Sequence, residues 1–323
     1  MYEQLNIFDL TLPTFKIDKP IRLIELFAGV GSQAMALRDL GADFEHYRVV
    51  EFDKYAIASY NAIHGTSFPA MDITQVSGTD LGIADTDKYC YIMTYSFPCQ
   101  DLSVAGKGKG MTKGSGTRSG LLWEVERLLN EADNLPQVLL MENVPQVHGE
   151  GNKKDFQSWI DFLASKGYSN YYQDLNAKNY GVAQNRERTF MVSILGEYYY
   201  KFPKPIPLTK TMKDYLEDEV DEKYYINNEK AQKLIRSLID NGTLNGCIGN
   251  VNPSGNGING NVYAGELAPT LTTNKGEGAK VCVDLSINEP NKKTISNCIT
   301  AREDRGISNQ RSTGSGVIEW KKE

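Results

Sequence analysis

Three short segments concentrate residue types that can do covalent and proton-transfer chemistry. In Ser96-Phe97-Pro98-Cys99-Gln100-Asp101-Leu102-Ser103 a cysteine directly follows a proline. A thiol is a nucleophile where a helix N-terminus or a cation stabilises its thiolate, and otherwise a structural group. The proline fixes φ and removes an N–H donor, so the segment reads as a turn at the end of a strand. Met141-Glu142-Asn143-Val144-Pro145 carries a carboxyl group after an apolar run. Apolar surroundings can keep such a group protonated near neutral pH, able to donate to a ring nitrogen; a helix cap or loop contact is the plainer use of Glu-Asn. In Tyr180-Gly181-Val182-Ala183-Gln184-Asn185-Arg186-Glu187-Arg188, the two arginines share a face if the chain is extended. Two guanidiniums so placed suit a base oxygen, a carboxylate or a phosphate, or else a surface pair with Glu187.

A fourth segment suits ligand binding. Leu26-Phe27-Ala28-Gly29-Val30-Gly31-Ser32 lies between an apolar run and a helical pattern. Glycines there let a ligand approach the backbone, and the helix N-terminus favours a negative group. Glu51, about 20 residues on, ends the next apolar run, where a carboxylate can accept both hydroxyls of a ribose. This pairing marks a nucleoside-cofactor fold but does not separate a nicotinamide cofactor from S-adenosylmethionine. Asp72-Ile73 could reach an adenine, or be an exposed loop pair.

The elements that must position these segments alternate in type. Strands are expected at residues 21–27, 48–51, 91–95, 138–141 and 190–195. Helices are expected at 33–40 and 54–63, along the face of Leu121, Leu122, Val125, Leu128 and Leu129, and around Phe156, Ile160 and Leu163 up to Gly167. That alternation predicts a parallel, doubly wound, Rossmann-like α/β sheet. Ligands of such sheets bind at the carboxyl ends of the strands, where Cys99 and Glu142 fall. After Phe202-Pro203-Lys204-Pro205-Ile206-Pro207 the composition turns to Gly, Asn and Thr. The expected division is a catalytic and cofactor-binding domain over 1–203 and a smaller, loop-rich region over 204–323.

Composition narrows the class. Of 323 residues 40% are hydrophobic and 24% charged, enough apolar material for a core and too little charge for general disorder. The net charge of −6 excludes a nucleic-acid packaging protein but not an enzyme with a local basic cleft. Lys107, Lys109, Lys113 and Arg118 form one basic stretch, and Arg302, Arg305 and Arg311 another. The five cysteines include no Cys-x-x-Cys pair and the three histidines have no metal-like spacing, so no metal is expected. An odd cysteine count, no signal-peptide pattern in MYEQLNIFDL and no apolar run near the roughly 20 residues of a membrane helix point to a cytoplasmic setting with no membrane partner.

Taken together, the motifs resemble those of the DNA cytosine-5 methyltransferase family. FAGVGS at 27–32, EFDKYA at 51–56, MDIT at 71–74, SFPCQDLS at 96–103, MENVP at 141–145 and QNRER at 184–188 carry the likeness, which covers about the first 200 residues. LAPTLTT at 267–273 extends it loosely into the family's target-recognition region. The resemblance implies a methyltransferase that uses S-adenosylmethionine on a cytosine flipped out of double-stranded DNA. Cys99 would add to C6, Glu142 would protonate or hydrogen-bond N3, Arg188 would hold the base carbonyl and Arg186 would support the site. It places the cofactor against Phe27, Ala28, Gly29, Gly31, Glu51, Phe52, Asp72, Ile73, Phe97, Pro98 and Leu121. It assigns Gln100, Ser103, Lys107, Lys109, Arg118, Asn143 and Gln184 to the DNA, with residues 105–120 as a mobile loop over the base. A restriction-modification or phage setting is implied as well.

The chain departs from the family pattern in two places. Ser32 stands where many relatives have a second glycine. The late Arg-Glu-Cys-x-Arg and Gly-Asn-x-Val motifs are not found before Glu323. The expectation is a truncated or split enzyme, with a second polypeptide supplying the end. An RNA cytosine-5 methyltransferase, an inactive remnant and a nicotinamide-dependent oxidoreductase are the rival readings. The last leaves Cys99 and the arginines without a task.

Overall fold

The computed structural model describes residues 12–102, 110–210 and 214, together with the backbone of three short strands further on. Ser103, Lys107, Lys109, residues 267–273 and the arginines at 302, 305 and 311 lie outside the described residues. The chain divides into two compact units, Met1–Leu175 with Arg188–Pro203, and Asn176–Glu187 with Lys204–Glu323. Residues 176–187, expected in the first domain, thus group with the second unit.

The first unit is built on a six-stranded sheet. Its strands are β1 (Ile21–Leu26), β2 (Phe44–Val50), β3 (Cys90–Tyr95), β4 (Val138–Asn143), β5 (Tyr168–Asn176) and β6 (Glu187–Leu195), in the order β2-β1-β3-β4-β6-β5. Helices α1 (Ser32–Asp39), α2 (Lys54–His64), α3 (Leu122–Glu131) and α4 (Lys153–Ser165) follow β1, β2, β3 and β4 in turn. Strand alternation sends successive side chains to opposite faces. Ile24, Leu26, Tyr91, Met93 and Tyr95 pack with α3 and α4, whereas Ile21, Leu23, Cys90 and Ile92 pack with Ala34 of α1. Both faces are covered, as a doubly wound sheet requires. On α3, Leu122, Val125, Leu128 and Leu129 are buried at helical spacing, each burial contributing about 1.5–3 kcal/mol.

The sheet is mixed, which corrects the expectation of an all-parallel one. β1 pairs in parallel with β2 and β3, and β3 with β4, but β4 and β6 are antiparallel. The reason lies in β5, a strand the apolar pattern does not reveal. It is an edge strand with exposed Gln173 and Asp174 and a largely half-exposed remainder, so it carries no continuous apolar run. The connection from β5 to β6 is too short for a crossover helix, so β6 must run back along its neighbour.

In the second unit, β7 (Gly246–Asn250), β8 (Asn261–Ala264) and β9 (Val281–Cys282) form a small sheet, antiparallel between β7 and β8 and parallel between β8 and β9. Among the described residues no helix is long and apolar enough to cross a membrane, and no group of three or more His, Cys, Asp or Glu could hold a metal ion.

Candidate active site

The functional segments leave the sheet at one edge. Leu26 pairs with Val50 and with Tyr95, and Tyr95 with Met141. The chain that follows each of these residues holds the turn at 27–31, Glu51, the cysteine turn and Glu142. The edge lies beside β1, where the strand order switches direction, the usual ligand position of an open α/β sheet. Because β6 runs the other way, its beginning, not its end, lies there, with Thr189 opposite Asn143 and Phe190 opposite Glu142.

The turn after β1 is conformationally costly. Phe27, Gly29 and Gly31 all have positive φ (57°, 57° and 79°), and a bulky residue in that region is a strained outlier of the kind that gathers at ligand sites. Glu51 braces the turn: one carboxylate oxygen accepts from Gly29 N–H and the other from Asp53 N–H, each at 2.8 Å. Helix α1 begins at Gly31 without a side-chain cap or an acidic residue in its first turn, which leaves its N-terminus suited to a negative group. Phe52 is 75% exposed, a large ring in water beside Glu51. Asp72 caps a short 3-10 turn by accepting from Thr74, while Ala28 and Ile73 are buried, so those two can offer a ligand little beyond backbone. A carboxylate beside the turn, an exposed aromatic ring and an uncapped helix start fit S-adenosylmethionine.

The turn after β3 presents Cys99 half-buried, with Phe97 in the core and Gln100 exposed. Glu142 at the end of β4 accepts a charge-assisted hydrogen bond from Arg188 Nε at 3.1 Å, with only 20% and 14% of the two side chains exposed. Asn143, expected at the DNA, is buried behind the turn. It is 2% exposed, its amide donates to the Phe97 carbonyl at 3.0 Å and its oxygen accepts from Val144 N–H at 2.9 Å. It therefore ties the cysteine turn to the strand end that carries Glu142. Leu121 packs on the core ahead of α3, and Arg118 is exposed. Lys113 pairs with Glu126 at 2.6 Å. Met111 is fully buried and Trp123 Nε1 donates to its carbonyl, so this part of the expected mobile loop is packed down.

Gln184 and Arg186 belong to the second unit. There Arg186 N–H donates to the Asn176 side chain at 3.2 Å and its carbonyl accepts from Ala177 N–H, a local brace around the motif.

A model of the C-5 cytosine-specific DNA methylase family matches residues 21–311. The chain belongs to that family. Other DNA cytosine-5 methyltransferases resemble it over most of its length. It is 32% identical to the orphan methyltransferase M.SPRI of Bacillus phage SPR, over 93% of this chain and 74% of that one. It is also 32% identical to the type II methyltransferase M.NlaX of Neisseria lactamica, over 84% and 82% of the two chains. The solved Dnmt2 methyltransferase of S. pombe has the same fold at 23% identity, with a TM-score of 0.51 over 69% of this chain and 66% of that one. The methyltransferase EhMeth of Entamoeba histolytica does so at 17% identity and a TM-score of 0.54.

Several residues of this methyltransferase escape a reading of motifs alone. Glu25, inside the apolar run of β1, is fully buried and accepts from Tyr60 Oη at 2.5 Å. That hydroxyl lies 2.6 Å from His46 Nδ1, and the His64 ring packs on Tyr60 while its Nε2 lies 3.0 Å from the Val30 carbonyl. Burial pushes the Glu25 carboxyl up to about 7, opposed by the bonds from Tyr60 and the Ala34 N–H, and burial pushes His46 down. This cluster stands directly behind the glycine turn. The only sequence signal for it is a glutamate where β1 should be apolar. Asp174 is a second case, accepting from Thr189 Oγ1 at 2.5 Å and lying 3.0 Å from His148 Nε2.

Proposed function

We propose that this chain transfers a methyl group from S-adenosylmethionine to C5 of a cytosine in double-stranded DNA, by covalent catalysis through Cys99 on a flipped base. The observation that carries this reading is the joined arrangement at the sheet edge. Asn143 links the Cys99 turn to β4, and the adjacent Glu142 is paired with Arg188 from the antiparallel β6.

Cytosine C5 is not nucleophilic while the ring is aromatic. The Cys99 thiolate forms a bond to C6, and the ring electrons move toward N3, which takes the proton that Glu142 carries in its acid form; the carboxylate left behind is the partner of Arg188. Arg188 holds Glu142 and turns its guanidinium charge toward the base carbonyl, stabilising charge as it develops. C5, now enamine-like, takes the methyl group that the bound sulfonium cofactor supplies. Loss of the C5 proton to a base, return of the N3 proton to Glu142 and departure of the Cys99 sulfur from C6 restore the aromatic ring, the acid and the thiolate. Glu51, Phe52 and the turn at 27–31 hold the cofactor. Reaching C6 requires the base to leave the stack, at a cost of a few kcal/mol. Phosphate contacts by Arg118, Lys107 and Lys109 would help to meet it. The names of the relatives favour a restriction-modification or phage setting for such an enzyme.

The test is tritiated methyl incorporation into duplex DNA and, in parallel, into transfer RNA. Incorporation into duplex DNA by the chain alone supports the reading and removes the need for a second polypeptide. Incorporation into RNA alone would move the assignment to an RNA methyltransferase. Cys99→Ser should abolish transfer, and full activity in that variant would refute the nucleophile.

A further inference from the structure

The turn that carries Cys99 is fixed by more than its own backbone. Pro98 has no N–H, so the turn lacks a donor where the chain leaves β3. Two successive carbonyls before the cysteine are instead each held by a buried side chain. Asn143 donates to the Phe97 carbonyl at 3.0 Å, and Ser119 Oγ donates to the Pro98 carbonyl at 2.6 Å. Ser119 is fully buried and sits just ahead of α3. Its oxygen also accepts from Asp101 N–H at 3.3 Å, while the Asp101 carboxylate accepts from the N–H groups of Arg118 and Ser119 at 2.8 and 3.4 Å. Residues 101 and 119 thus hold each other through side chain and backbone in both directions. The Asp101 carbonyl takes a further bond from Gly110 N–H at 3.0 Å.

We propose that Ser119 and Asp101 are positioning residues for methyl transfer, a reciprocal clasp that fixes the Pro98 carbonyl and so sets the direction of the Cys99 sulfur. The proposal rests on Cys99 being the nucleophile. A thiolate must meet C6 at about 3–3.5 Å along an aligned path, and a small rotation of the Pro98–Cys99 peptide would swing the sulfur off it. The hydrogen bonds of the two residues run to Pro98, Gly110, Arg118 and each other rather than to the segments at 27–31 and 51–52, so the clasp is directed mainly at the chemical step.

The experiment measures, for the full chain with S-adenosylmethionine, the rate of denaturation-resistant adduct formation on a 5-fluorocytosine duplex and the single-turnover rate of methyl transfer. Ser119→Ala should slow both about tenfold, the scale of one lost hydrogen bond at a reacting group, while the KM for S-adenosylmethionine changes much less and the thermal midpoint falls by only a few degrees. Asp101→Ala should do the same, and the double variant should be little slower than either single one, since both open one clasp. Asp101→Asn keeps an acceptor oxygen and should retain most of the rate. Wild-type adduct rates in Ser119→Ala, or fully multiplicative losses in the double variant, would overturn the clasp. A wild-type enzyme that transfers methyl groups without forming any adduct would instead overturn the Cys99 reading, and the clasp with it.

Discussion

The half-buried ion pair between Glu142 and Arg188 shows how two side chains from different strands become one device. The guanidinium is planar and presents several donors, so it can bind the carboxylate through Nε and still face a ligand with its terminal nitrogens. An ammonium group has three donors but no fixed planar fork to divide between two partners. Arg188→Lys should therefore lower kcat/KM for methyl transfer by about tenfold or more. Arg188→Ala should cost more, because it leaves a largely buried carboxylate without its charge partner. Steady-state kinetics on duplex DNA decide the matter; equal activity of the lysine variant would mean that charge alone suffices. The two described cysteines differ in the same local way. Cys90 lies in the core, where burial pushes its thiol up to about 11, whereas Cys99 is half-buried on a turn at the functional edge. Position and motif both favour the second as the proposed nucleophile.

Among elements, the tight passage from β1 to α1 does the most demanding work. Gly31 has φ of 79°, and a β-carbon there would lie 2.4 Å from His64 Nε2 and 2.6 Å from a Tyr60 ring carbon. Both the backbone and the space therefore require glycine. Gly31→Ala should destabilise the fold by about 1–3 kcal/mol and weaken S-adenosylmethionine binding, since relief would displace the cluster that supports the turn. Chemical denaturation and calorimetry with S-adenosylhomocysteine measure the two effects; unchanged values for both would show that the turn tolerates another route. Gly29 differs, because a β-carbon there meets nothing within 4 Å and only its positive φ favours glycine.

For the molecule as a whole, Glu25 links pH to stability. Its folded-state value is raised from 4.5 to about 7, mainly by burial. An acid raised on folding favours the folded state most below its unfolded value and loses that contribution as pH rises through its folded value. Global stability should thus fall by about 3 kcal/mol from this group between roughly pH 4.5 and 7 and level off above that. Glu25→Gln should flatten this window, seen as a smaller difference between denaturant midpoints at pH 5 and pH 8. An undiminished difference would place the titration elsewhere. Among the described residues the buried Oε1 meets no hydrogen-bond partner of good geometry, consistent with a group that prefers its neutral form.

The sequence by itself determined the element types, the strand ends that carry chemistry and the family. Each rests on local signals: an apolar period, a glycine turn, a Pro-Cys pair, an acid after a strand. It did not reveal β5, because a half-exposed edge strand needs no apolar run, and so the last strand was expected to run parallel to the rest. One clue was present. The arginine motif precedes its strand whereas the others follow theirs, and all can share one edge only if that strand runs backward. Side-chain partners were decided by the tertiary structure alone. Nothing in the Glu-Asn motif itself shows that the Asn143 amide lies on the Phe97 carbonyl. Glu25, Tyr60 and His46 lie far apart along the chain, as do Asp101 and Ser119, and become partners only when packing brings them together. Spacing along a chain fixes which face a residue takes, while its hydrogen-bond partner depends on which other element folds against that face.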